Sequence, residues 1–198
     1  MASEPTQQDV SNILKETPNT QFLTISRRAC AKLNELAVKS LFESAEPLAV
    51  LPTDPESNVA NYHGSRQVAE DPFVTEIYKG ERVMLTKNLN KSVGFVNGMG
   101  AVILGMDGPN VIVRTDQGRR LAVHPWTSEE RVTHFPLRVG YASTLHKVQG
   151  ATLPHITLWL DIANMPAAAY VALSRVELDA NWCFVGNPGV HHFTPARQ

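Results

Sequence analysis

The chain has 198 residues, 43% apolar and 19% charged, so a buried core is feasible and a disordered polymer is excluded as the default. A formal charge of −1 excludes a protein coated with cations along its length, but not a local basic groove, because phosphate binding depends on where the cations sit. Cys30 and Cys183 are the only cysteines and lack metal-ligand spacing. Two buried thiols are expected, with a disulfide as the alternative. No apolar run approaches the ~20 residues of a membrane span. The start, Met1-Ala2-Ser3-Glu4-Pro5, has neither a basic segment nor a following apolar core, so no secretory signal is visible. An intracellular, soluble protein is expected, with no membrane partner.

Thr6 to Glu16 predicts a short helix, with Val10, Ile13 and Leu14 on one stripe before Pro18-Asn19 breaks it. Phe22-Leu23-Thr24-Ile25 reads as a buried strand. A polar turn, Ser26-Arg27-Arg28, and a helix with Ala29, Leu33, Leu36, Ala37 and Leu41 on one face follow it. Strand, turn and helix make the first half of a βαβ unit, and open α/β sheets bind ligands at the carboxyl ends of their strands. The two arginines there are either solvated first-turn residues or phosphate ligands. Glu46 to Asp71 reads as irregular, because Pro47, Pro52, Pro55 and Pro72 with Asp54, Ser57, Asn58 and Gly64 break every period. A loop of that length is expected to pack or to bind something.

From Gly80 the pattern turns to short strands: Arg82–Thr86, Ala101–Leu104, Val111–Arg114 and Arg120–Val123. Turn signals at Asn97-Gly98, Asp107-Gly108 and Gln117-Gly118 separate them. Their spacing predicts a small β-barrel inserted over residues 88–136, with Trp126 at one end. Residues 1–87 and 137–198 would then form the two parts of an α/β domain. Leu137–Ser143 and His155–Leu160 read as buried strands, Ala167–Val176 as a helix with Pro166 near its first turn, and Trp182–Val185 as a last strand. His191-His192 reads as a solvated tail, since no further metal ligand stands near it.

Two strings carry the chemistry. In Gly140-Tyr141-Ala142-Ser143-Thr144-Leu145-His146-Lys147-Val148-Gln149-Gly150-Ala151-Thr152-Leu153, polar residues follow a strand directly. Exposed there, Ser143, Thr144 and Lys147 would donate to phosphate oxygens, and His146 would donate or stack. Gly150 would allow close backbone approach. The bland alternative is a polar strand-to-helix turn. In Tyr170-Val171-Ala172-Leu173-Ser174-Arg175, an arginine ends an apolar helix. It either faces the helix macrodipole or neutralises charge on a γ-phosphate, as such arginines do in phosphoryl transfer.

Together the two strings resemble motifs V and VI of superfamily-one DNA helicases of the Pif-like/RecD-like group. The family's corresponding strings read close to T-x-H-K-x-Q-G-x-T-L and Y-V-A-L-S-R. The resemblance extends upstream. Gly80–Leu89 with Phe95–Gly100 resembles the segment leading into that family's inserted Src-homology-3-like barrel. Leu23–Arg27, with Asn34 in the next helix, resembles motif IV, although Ile25-Ser26 stands where Pro-Thr is common. That departure leaves open whether Arg27 or Arg28 makes the contact.

The resemblance implies an α/β fold with a RecA-like parallel sheet of the P-loop NTPase type, second motor domain, carrying a small inserted barrel. It implies that Arg27 and Arg175 face nucleotide phosphates, with Arg175 as the catalytic γ-phosphate sensor. Gln149 and Gly150 would link nucleotide to DNA, and Ser143, Thr144, His146, Lys147 and Asn97 would hold single-stranded DNA. The sequence contains no G-x-x-x-x-G-K-[ST], not even a Gly-Lys pair, and no Asp-Glu pair for Mg²⁺. ATP and Mg²⁺ are therefore expected to be held mainly by an N-terminal RecA-like domain outside this chain. The expected function is the C-terminal motor half of a 5′→3′ DNA helicase, inactive alone. The alternative is a non-catalytic nucleic-acid- or protein-binding module derived from one, and an RNA motor is a third possibility.

Overall fold

The computed structural model describes residues 4–55, 72–93, 95–129, 131–163 and 165–195. The second half of the proline-rich stretch, with Ser57, Asn58 and Gly64, lies outside the described residues. In chain order the elements are α1 (Gln7–Glu16), β1 (Gln21–Thr24), α2 (Arg27–Phe42), β2 (Ala49–Thr53), β3 (Phe73–Ile77), β4 (Arg82–Leu85), β5 (Gly100–Asp107), β6 (Asn110–Thr115), β7 (Arg120–Val123), β8 (Trp126–Thr127), β9 (Thr133–His134), β10 (Leu137–Val139), β11 (Ala142–Thr144), β12 (Ile156–Trp159), α3 (Ala168–Leu173) and β13 (Trp182–Phe184). They form two compact units, one of residues 1–41 with 141–198, the other of residues 42–140.

The first unit is built on a four-stranded sheet of order β11-β1-β12-β13, parallel throughout. Phe22, Leu23 and Thr24 of β1 are all fully buried, as the unalternating apolar run predicts for a strand covered on both faces. α1 starts with a capping box in which the Thr6 hydroxyl accepts from the Asp9 N–H and the Asp9 carboxylate accepts from the Thr6 N–H. The Thr6 N–H and, after it, the Thr6 hydroxyl donate to the Asp9 carboxylate and hold it below its ordinary range. Val10 and Leu14 face the interior. At the start of α2 the Ser26 hydroxyl accepts the Ala29 N–H at 3.0 Å, and Ala29, Leu33 and Ala37 point inward as expected, while Leu41 is exposed.

His192 corrects one expectation. Rather than lying in a solvated tail, it is fully buried. Its Nδ1 accepts the Gly189 N–H at 3.0 Å, so the tautomer carrying hydrogen on Nε2 donates to the Ile162 carbonyl at 2.6 Å. A buried imidazole keeps both nitrogens paired, and here the pairing fastens the end of the chain beside α3. His191 is exposed, as the sequence suggests.

The second unit holds a five-stranded antiparallel sheet of order β10-β4-β5-β6-β7 and two ribbons, β2-β3 and β8-β9. Its core gathers Ile77, Val83, Leu85, Phe95, Ile103, Val111, Val113, Phe135 and Leu137. The expected hairpins at Asp107-Gly108 and Gln117-Gly118 are present, with positive φ at both glycines. Ala49–Thr53, expected to be irregular, is a strand. Pro52 is tolerated because it needs only its carbonyl, which accepts the Phe135 N–H. The sheet takes in β4 and β10, which flank residues 88–136.

Leu137–Ser143, read as one strand, is split. β10 pairs antiparallel with β4, β11 pairs parallel with β1, and Gly140 lies between. Gly140 donates to the Arg82 carbonyl at 2.9 Å, and a Cβ there would stand 2.8 Å from the backbone carbon of Val83. Close backbone approach therefore requires the glycine. Glu81 is 1% exposed. Its carboxyl accepts the Tyr78 N–H at 2.9 Å, and burial pushes it up to about 7. Among the described residues no helix is long and apolar enough to cross a membrane.

Candidate nucleic-acid and nucleotide site

The first string is organised by a one-turn 3₁₀-helix, Leu145–Val148, directly after β11. Residues three apart eclipse in such a turn, so Leu145 and Val148 fall on one side. Both are buried, packed with Leu23, Ile156, Leu158, Ala168, Ala169 and Ala172. The two positions between them, His146 and Lys147, are therefore turned out to solvent, as are Gln149 and Gly150 just beyond. Gly150 has φ +82°, the left-handed region that favours glycine, and nothing crowds its missing Cβ.

Ser143 and Thr144 differ from expectation. They are 1% and 8% exposed, because β11 is covered on both faces and pairs with β1 at Leu23–Ser143 and Thr24–Thr144. The hydroxyl expected at the surface is in the sheet, and Ser143 Oγ is buried with no hydrogen-bond partner. The exposed cluster is thus His146, Lys147, Gln149 and Gly150.

Asn34 fixes the entry to this strand. Its side chain accepts the Ala142 N–H at 2.8 Å and donates to the Ala142 carbonyl at 3.4 Å, pinning β11 to α2. Arg27 and Arg28 are exposed in the first turn of α2, at the carboxyl end of β1, the sheet edge from which His146 and Lys147 also leave. Sequence reasoning missed Asp161. Its carboxylate accepts the Ile25 and Ser26 N–H groups at 2.9 and 3.2 Å and so braces the turn before Arg27. Its place just past the buried strand β12 is the signal that could have found it.

The second string forms α3 and its end. Ala168, Ala169 and Ala172 are buried, and their small side chains let the helix lie close against the same cluster as Leu145 and Val148. The Leu153 N–H donates to the Arg175 carbonyl at 2.7 Å, which joins the end of the second string to the tail of the first. The Arg175 guanidinium rests on the Ser174 hydroxyl, through Nε at 3.2 Å and Nη2 at 2.8 Å. Arg175, Gln149 and Gly150 are thereby held in neighbouring segments. Arg27 stands in the first turn of α2, at the carboxyl end of β1.

Asn97 lies in the other unit, exposed in a turn where its N–H donates to Asn88 Oδ1 at 2.9 Å and Gly98 has φ +88°. Among the described residues no group of three or more His, Cys, Asp or Glu side chains could hold a metal ion.

No family model matches the chain. It is 28% identical over 181 residues to the ATP-dependent DNA helicase Pif1 of Bdellovibrio bacteriovorus, covering 82% of this chain and 40% of that protein. It is 30% identical over 164 residues to the ATP-dependent DNA helicase PIF1 of Rattus norvegicus, covering 74% of this chain and 24% of that one. A crystal structure of Bacteroides Pif1 bound to ssDNA superimposes with a TM-score of 0.61 at 20% identity, over 90% of this chain and 45% of that one. The chain therefore spans less than half the length of these three proteins, and the parallel sheet of its first unit fits a RecA-like fold. Over most of its length the chain is a relative of the Pif-like superfamily-one helicases.

Proposed function

We propose that the chain is the second RecA-like motor half of an ATP-dependent 5′→3′ DNA helicase. It grips the backbone of single-stranded DNA at His146 and Lys147 and supplies Arg175 to the γ-phosphate of ATP bound on an N-terminal RecA-like domain. The observation that carries this reading is the 3₁₀ turn, which buries Leu145 and Val148 and so presents His146 and Lys147 outward at a strand end. Imidazole and ammonium donors so placed suit sequence-independent contact with phosphate oxygens. The backbone bond from Leu153 to Arg175 supports the coupling, because it joins the arginine segment to the stretch that follows Gln149 and Gly150.

In the mechanism that follows, Arg175 leaves Ser174 to meet charge developing on the transferred phosphoryl group. An arginine in that role contributes ~10³–10⁵ in rate. Arg27, in the first turn of α2, and Gln149 and Gly150 complete the nucleotide side. ATP and Mg²⁺ are held mainly by the partner domain's P-loop. Ser143 and Thr144, buried in β11, are set back from the phosphates that His146 and Lys147 meet. The antiparallel sheet of the second unit, with its β8-β9 ribbon, is read as the Src-homology-3-like barrel, contacting the strand at Asn97.

ATPase measurement tests the division of labour. The purified chain is expected to show no hydrolysis, with or without single-stranded DNA. Joined to a Pif-like P-loop domain it is expected to give DNA-stimulated hydrolysis that Arg175→Ala lowers by at least ~10³-fold. Hydrolysis by the chain alone, or an Arg175→Ala fusion as active as its parent, would contradict the reading.

A further inference from the structure

Trp126 stands apart from the protein's other tryptophans. Trp159 is 5% exposed and Trp182 packs against the first unit's core, but Trp126 is half-buried on the short β8-β9 ribbon, outside the core of its unit. Lys87 Nζ lies 4.1 Å from the centroid of its ring. His134, its register partner on β9, meets it edge-on, with centroids 5.4 Å apart and planes at 69°. His134 is 4% exposed and neither ring nitrogen has a hydrogen-bond partner.

The platform is held in place. The Thr127 and Thr133 hydroxyls bond across the ribbon at 2.8 Å, and the Ser128 hydroxyl accepts the Val132 N–H to close the turn. The Thr86 N–H donates to the Pro136 carbonyl, which ties Lys87 to the segment leaving β9. From Arg82 to Met106 the sequence contains Arg82, Lys87 and Lys91 and no acidic residue, while Asp54, from another segment, is the carboxylate close enough to act on His134. Asn88, next to Lys87, is the residue that anchors Asn97.

We propose that Trp126, Lys87 and His134 form a nucleobase-stacking site on the second unit, which takes one unpaired base of a single-stranded nucleic acid against the indole and its neighbouring phosphate on Lys87. This inference rests on the nucleic-acid reading above and adds a base-dependent contact to one made through the backbone. Lys87 stands over the indole ring of Trp126, so a base takes that π-face as the flexible lysine swings aside to the neighbouring phosphodiester. The imidazole, buried without partners, supports the indole edge.

The test compares a fluorescein-labelled short oligo-dT with an abasic oligonucleotide of the same length, by anisotropy at low salt, using the whole chain. The wild-type chain is expected to prefer oligo-dT. Trp126→Ala is expected to weaken oligo-dT about tenfold and leave the abasic ligand unchanged, while Trp126→Phe recovers most of the loss. Equal wild-type affinity for the two ligands, or a Trp126→Ala chain that keeps its oligo-dT affinity, overturns the inference. If His146→Ala with Lys147→Ala abolishes binding of both ligands while Trp126→Ala alters neither, the backbone reading stands and this one falls. If neither ligand binds, both fall.

Discussion

Among the described residues Arg175 has side-chain hydrogen bonds only to the hydroxyl of the adjacent Ser174, which leaves its guanidinium available for function rather than for the fold. Arg175→Ala is expected to change urea unfolding by less than ~0.5 kcal/mol, the usual cost of a surface substitution. A larger loss would make Arg175 a structural residue. Glu81 is the reverse case, a buried carboxyl whose environment favours the neutral form. Its ordinary value of 4.5 is raised to about 7 by burial, against the opposing Tyr78 N–H bond. Between those values the native state holds a proton that the unfolded chain has released. Stability from this group is therefore full at low pH and is lost as pH rises through about 7, by at most ~3 kcal/mol. Glu81→Gln keeps an acceptor for Tyr78 and removes the titration. Its thermal midpoint should fall less than wild type's between about pH 5 and 8. Parallel curves for the two proteins would show that Glu81 does not carry the dependence.

At the scale of elements, what could be read in the sequence was whatever local spacing decides. Phe22–Ile25 gave β1 because an unbroken apolar run of that length is a doubly covered strand, and the stripe of Val10, Ile13 and Leu14 gave α1. The polar string could be placed directly after a strand, but which of its side chains reach solvent could not be read. That depends on β1 pairing with β11 and on Asn34 reaching Ala142, 108 residues away, and neither leaves a local trace. β2 was hidden because prolines erase periodicity even where a ribbon strand accepts them. His192 was hidden because its partners are backbone groups, the Gly189 N–H in its own turn and the Ile162 carbonyl 30 residues away. The split between β10 and β11 turns on one glycine. Gly140→Ala forces a methyl against the Val83 backbone, which has no flexible end to move. We expect ~1–3 kcal/mol of lost stability, read as a lower thermal midpoint. An unchanged midpoint would mean that β4 yields at this point.

At the scale of the whole molecule, a parallel α/β unit carries the strings Tyr141–Leu153 and Tyr170–Arg175, and an antiparallel unit carries the Trp126 ribbon and the Asn97 turn. The central claim is that the 3₁₀ turn after β11 holds single-stranded DNA by its phosphates. Its most direct test is fluorescence anisotropy with single-stranded DNA at low and moderate salt, for the chain and for His146→Ala with Lys147→Ala. The account predicts binding that weakens as salt rises, and weaker binding with a shallower salt dependence, by about one phosphate contact, in the double variant. Equal affinity and equal salt dependence in the two proteins would contradict it.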